Sequence, residues 1–242
     1  MKRFLPTLFA LFPFLGASAQ NAGADASAGA KVPRSIWSTV NPDSAVLRMV
    51  PMGTVHHVSI HHTETPIPDS VREDQRLRNI QNYHQEIQGW GDIAYHFLIG
   101  PSGTVYEGRS EKYAASSGTI YLTKAQWEAA PQNSLGVTEA AKPDDLAKPG
   151  HSKGHLTVCF IGNFEKELPT KAALDSMAKL VARKLKENGL GTDAVMLHRE
   201  IACWSDCPGQ ALYDWFRGPS RKRDGRGPAF QSIEAALARL RD

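Results

Sequence analysis

The 242-residue chain contains only three cysteines, Cys159, Cys203 and Cys207. An odd number cannot be fully paired within one chain. A complete internal disulfide framework is therefore excluded, and at least one thiol is buried, free, bridged to another chain or available to a metal. Net charge is also scarce: the formal +3 falls to about +1 once Lys2 and Arg3 are set aside, which makes no electrostatic case for a nucleic-acid partner. There is no H-E-x-x-H, so the helical zinc-protease site is absent. No internal repeat is visible. The apolar run Phe4 to Leu15, broken by Pro6, Thr7 and Pro13, is shorter than the roughly 20 residues that a membrane span needs.

That short run is instead expected to be a targeting signal. Lys2 and Arg3 precede it, and Ala17-Ser18-Ala19 follows as small residues of the A-x-A type. Residues 1–19 therefore read as a signal peptide, which implies export to the periplasm or secretion and no stable membrane insertion after its removal. No cysteine stands at the cleavage point, which argues against a lipid anchor. Residues 20–32, rich in Ala, Gly, Asn and Asp, read as a flexible lead-in. Residues 33–217 are long enough for one well-buried domain. Residues 218–242, opening on the cluster Arg221, Lys222 and Arg223, read as a basic tail with a short C-terminal helix.

Within the domain, strand and helix patterns alternate. Val55 to Ile60 has strand character, with Val58 and Ile60 on one side and His57, Ser59 and His61 on the other. Val71 to Gln88 repeats apolar positions at helical spacing. Ile93 to Ile99 and Thr104 to Glu107 flank the turn Pro101-Ser102-Gly103 as a hairpin. Residues 110–153 form an extended irregular loop with one short helix expected over Thr123 to Ala130. Leu156 to Ile161 reads as a buried strand, Lys171 to Asn188 as an amphipathic helix closed by Gly189, and Ala194 to Leu197 as a last strand. Short helices are expected over Ala211 to Phe216 and Ile233 to Leu240. This alternation predicts an α/β single domain, a mostly parallel (mixed) sheet flanked by helices on both faces.

A catalytic zinc takes three protein ligands and keeps one position for water. The available donors are the histidines near 56–62, His198, and a cysteine in Cys203-Trp204-Ser205-Asp206-Cys207-Pro208-Gly209. On a strand His57 and His61 stand roughly 13 Å apart and cannot share one ion. Position at the strand end favours His61 or His62. A Cys203–Cys207 bridge, or one to Cys159, is the alternative that an oxidising compartment allows, although Cys159 lies in an apolar run and reads as a core residue. His198-Arg199-Glu200 with its two cysteines differs from the H-x-E…P-C-x-x-C pattern of zinc deaminases: the cysteines are one residue too far apart and the proline follows them.

Taken as a set, the motifs resemble a known family. Ile60-His61-His62-Thr63, Ile80-Gln81-Asn82-Tyr83-His84, Gly89 through Ile99, Val105-Tyr106-Glu107-Gly108-Arg109, Cys159 through Phe164, and His198-Arg199-Glu200 through Cys207-Pro208-Gly209 occur in the order found in type 2 N-acetylmuramoyl-L-alanine amidases and peptidoglycan recognition proteins. The likeness runs from about Val55 to Trp215. It implies Zn²⁺ held by His61, His198 and Cys207, with Tyr95 and Ser205 at the reaction centre. It also implies a peptidoglycan groove bordered by His62, Trp90, His96, Glu107, Arg109 and His151. The implied activity is zinc-dependent hydrolysis of the amide between the N-acetylmuramoyl lactyl group and L-alanine, carried out by a monomer. A non-catalytic peptidoglycan-binding module and another exported zinc hydrolase are the alternatives. Ser205 stands where relatives commonly carry Lys or Thr, and the 110–153 loop is longer than its usual counterpart.

Overall fold

The computed structural model describes residues 31–48, 51–65, 70–116, 153–201 and 205–240. The expected signal peptide, the helix at 123–130, Cys203 and His151 all lie outside them.

One six-stranded sheet organises the chain: β1 (Lys31–Val32), β2 (His57–His62), β3 (Phe97–Ile99), β4 (Val105–Glu107), β5 (His155–Phe160) and β6 (Val195–Leu197), in the order β1-β4-β3-β5-β2-β6. All neighbouring pairs are parallel except the β3–β4 hairpin, which is antiparallel. The sheet is mostly parallel, as the alternating pattern predicts. β2 lies between β5 and β6, so both of its hydrogen-bonding edges are paired, and Val58 to His62 are all buried.

Helices cover both faces of the sheet. On one face, α4 (Lys171–Glu187) places Ala173, Met177, Val181 and Leu185 against Val58, Ile60, Leu156 and Val158. Its first turn is capped by Thr170, whose Oγ1 accepts the Ala173 amide. Gly189, at φ 66°, ends the helix in the left-handed conformation expected from its position. On the other face, α1 (Arg34–Trp37) and α3 (Glu73–Asn82) bring Trp37 and Leu77 onto Leu98, Tyr106, Cys159 and Ile161. α3 widens into a π turn over Tyr83–Ile87, so the helix expected over 71–88 is present with a change of pitch at its end. A short α2 (Ser44–Arg48) follows α1.

The structure departs from the sequence expectation at three places. Lys31 and Val32, expected in the lead-in, pair with Val105 and Tyr106 as β1. The strand expected from Ile93 begins only at Phe97, because the backbone before it is engaged elsewhere. Ile93 O accepts from Arg109, Ala94 N–H donates to His84 Nδ1, and Ala94 O accepts from Ser116 N–H. The third departure concerns the C-terminal segment. After α5 (His198–Ile201) and α6 (Gln210–Arg217), α7 (Pro228–Arg239) buries Ala229, Phe230 and Ile233 in the same core as α4. The helix expected in this basic segment thus packs into the hydrophobic core.

Candidate metal centre

Sheet topology brings two histidines together. β2 and β6 are parallel neighbours with Ile60 opposite Leu197, so the residues that follow, His61 and His198, stand side by side with ring centroids 4.5 Å apart. The turn before α6 adds Cys207, whose carbonyl accepts the Arg199 amide at 2.8 Å. Its Sγ accepts the His62 N–H at 3.3 Å and lies 3.8 Å from His61 Nδ1. One donor atom from each of His61, His198 and Cys207 lies within 4.8 Å of the others, the one such group of three or more among the described residues. His61 and His62 are separated by strand parity, since consecutive residues face opposite sides of the sheet. His62 turns away, and its Nδ1 accepts the Phe164 amide at 3.3 Å.

The donor set fits zinc, which takes imidazole nitrogen and thiolate sulfur. Burial, with His198 second, holds His61 well below the usual imidazole range, so its lone pair is available at neutral pH. Burial pushes the Cys207 thiol up to about 12, only partly opposed by the His62 amide. A cation among the three groups would displace that proton. Cys207 and Cys159 are both free thiols.

Around the donors, Tyr95 is half-buried, with its ring 5.5 Å from His61 and 5.8 Å from His84. Burial, reinforced by the nearby Cys159 and Cys207 thiols, raises its phenol well above the ordinary value, so it keeps its proton. Ser205 Oγ lies 3.3 Å from His198 Nδ1 and accepts the Cys207 amide at 3.2 Å, which ties it to two of the three donors. Trp90 is half-buried, and its ring lies 4.8 Å from that of His84. Burial lowers His84 to about 4, and its Nδ1 accepts the Ala94 amide, which leaves the proton on Nε2. His84 was not among the site residues expected from the sequence. Its signal was a histidine inside the helical run of core positions Leu77 and Ile80.

The family model for N-acetylmuramoyl-L-alanine amidase matches residues 51–210. The chain belongs to that family. It is 32% identical to a human N-acetylmuramoyl-L-alanine amidase over 176 residues, 71% of this chain and 25% of that protein, so it spans about a quarter of that relative's length. The crystal structure of Drosophila peptidoglycan recognition protein SD shares the fold with a TM-score of 0.58 at 28% identity, covering 81% of this chain and 98% of that one. Peptidoglycan recognition protein LE, solved in complex with tracheal cytotoxin, a monomeric diaminopimelic acid-type peptidoglycan, gives a TM-score of 0.53 at 28% identity, covering 76% and 89%.

In this amidase-family chain, three residues expected along the groove make contacts within the fold, apart from the three donors. Arg109 is 2% exposed, and its guanidinium donates to the carbonyls of Ile93, Ala114, Trp90 and Asp92 at 2.7–3.2 Å. Those bonds engage four of the five guanidinium donors and hold the loop together. His96 is also enclosed: its Nδ1 accepts the Thr157 amide at 3.0 Å and its Nε2 lies 2.9 Å from the Tyr113 carbonyl, which staples the start of β3 to β5. Burial lowers it to about 4. Glu107 sits on β4, separated from β2 by β3 and β5, and pairs with Lys31 at 2.5 Å. All three line a cavity of about 740 Å³ whose walls include none of the metal donors.

Proposed function

We propose that the chain is a zinc-dependent amidase, cleaving the bond between the muramoyl lactyl group and L-alanine of peptidoglycan. The observation that carries this reading is the convergence of His61, His198 and Cys207. His61, His198 and Cys207 would hold the zinc, which when bound would supply a water activated near neutral pH and Lewis-acid character toward the scissile amide. The protein's own groups do the rest. Tyr95, holding its proton beside His61, donates a hydrogen bond to the oxygen on which charge develops. Ser205 braces His198 and the Cys207 turn, and serves positioning in place of the charge that a lysine would bring. Trp90 and His84 form an aromatic wall against Tyr95 on which the substrate rests. Further support comes from relatives named as amidases and as peptidoglycan recognition proteins, one of them solved with a peptidoglycan fragment. Export directed by residues 1–19 would bring the domain to its polymer.

Digestion of purified muropeptides, read by mass spectrometry, tests the reading. Release of intact stem peptide is expected from the zinc-loaded protein and not from Cys207→Ser. Binding without cleavage would instead make the chain a recognition module, and cuts within the stem peptide would make it a hydrolase of another specificity. Tyr95→Phe with full activity would remove Tyr95 from the reaction.

A further inference from the structure

The face of β2 that carries His61 also carries Ser59, two residues earlier and completely buried. Its neighbours across the sheet are Thr157 on β5 and Met196 on β6, so the backbone at this position is fixed on both sides. The His61 ring reaches back along the strand and places Nε2 3.1 Å from Ser59 Oγ, while Nδ1 faces Cys207 Sγ at 3.8 Å. A neutral imidazole carries one proton. If the nitrogen turned toward Cys207 is to offer a lone pair, the other nitrogen must hold the proton and needs an acceptor. Ser59 Oγ is the polar partner that Nε2 has among the described residues.

We propose that Ser59 is a positioning residue of the metal centre, accepting a hydrogen bond from His61 Nε2–H and so fixing the tautomer and ring angle that present Nδ1 to the metal. The proposal rests on His61 being a ligand, as argued above. It also accounts for a buried hydroxyl between Val58 and Ile60, where an apolar side chain would carry no desolvation cost. Loss of the hydroxyl leaves Nε2–H without an acceptor in a dry site and releases the ring.

Zinc affinity of the full chain, measured by chelator competition, is the test, with Ser59→Ala compared with wild type and with Ser176→Ala. Ser176 is an equally buried serine, whose hydroxyl donates to the Gly103 carbonyl on the opposite face of the sheet, and it controls for general loss of packing. S59A is expected to bind zinc roughly ten- to a hundredfold more weakly, and S176A to bind as wild type. In the metal-free wild-type protein, nitrogen-15 spectra of the imidazoles should place the His61 proton on Nε2. Unchanged zinc affinity in S59A, or a proton on Nδ1, would overturn the role of Ser59 while leaving the amidase reading intact. A wild-type protein that takes up no zinc would overturn both.

Discussion

Arg109 offers the clearest way to separate a scaffold role from a substrate role. Replacing it with methionine keeps much of the volume and removes every donor. Four backbone carbonyls then lose a charged partner at once. The carbonyls of Ile93 and Ala114 belong to buried residues. Each orphaned buried acceptor costs about 1–3 kcal/mol, but the four share one loop and relax together, so the costs do not add fully. Breaking a buried charged network by deleting one member typically costs about 3–5 kcal/mol, and that is the expected loss for Arg109→Met. For a chain of this size the loss lowers Tm by roughly 6–20 °C. Arg109→Lys keeps a charge but carries a three-donor cone in place of a planar fork, so it should recover only part of the stability.

The assay is urea denaturation and thermal unfolding of the wild type, R109M and R109K at saturating zinc, with KM for a muropeptide measured well below the unfolding range. The scaffold role predicts a large loss of stability and no selective change in KM. A normal Tm with sharply weakened substrate binding would show that the guanidinium faces the groove, and the reasoning from its carbonyl contacts would be refuted.

Two further predictions concern protons. Burial lowers His96 from 6.5 to about 4 and His155 to about 3, so the folded state resists protonation that the unfolded chain accepts. Stability is therefore full above about pH 6.5 and falls as the pH drops toward 4, by roughly 3 kcal/mol for His96. Urea midpoints that stay level from about pH 7.5 to 4.5 would contradict this. Zinc binding should strengthen about tenfold per pH unit between about pH 6 and 8, because the Cys207 thiol, raised to about 12, gives up one proton while His61 is already neutral. Chelator competition across that range checks it, and a flat profile would exclude a thiolate ligand.

Much of the fold was legible because its signals are local. The hairpin turn Pro101-Ser102-Gly103 and the apolar stripe of α4 each declare an element within a few residues. What stayed hidden depends on distant partners. The early end of the strand expected at Ile93 is set by Arg109, His84 and Ser116, which reach it from other segments. The choice between His61 and His62 needed the parity of a strand that runs two residues past its expected end at Ile60. Arg109 is expected at the groove because a sequence displays the guanidinium and conceals the carbonyls around it. The C-terminal segment was dominated by Arg221, Lys222 and Arg223, although Phe230, Ile233 and Leu237 already mark a helical apolar face behind them.

That C-terminal helix bears on the metal centre through a buried ion pair. β6 is a three-residue edge strand, too short to hold His198 by its ladder alone. Glu200 accepts the Leu197 amide at 2.9 Å and so folds the turn that carries His198. Its carboxylate is gripped by Arg217 through Nε and Nη2, both at 2.6 Å, and Arg217 also donates to the Val195 carbonyl. The guanidinium lies 5.2 Å from the Phe230 ring, on α7. A buried ion pair is weak evidence for stability, since apolar replacements often do as well. Apolar side chains could fill the volume beside β6, but they could not accept the Leu197 amide and receive Arg217 in the same place. The pair is therefore better read as fixing geometry: it couples the packing of a helix beyond the family match to the angle at which His198 leaves its strand.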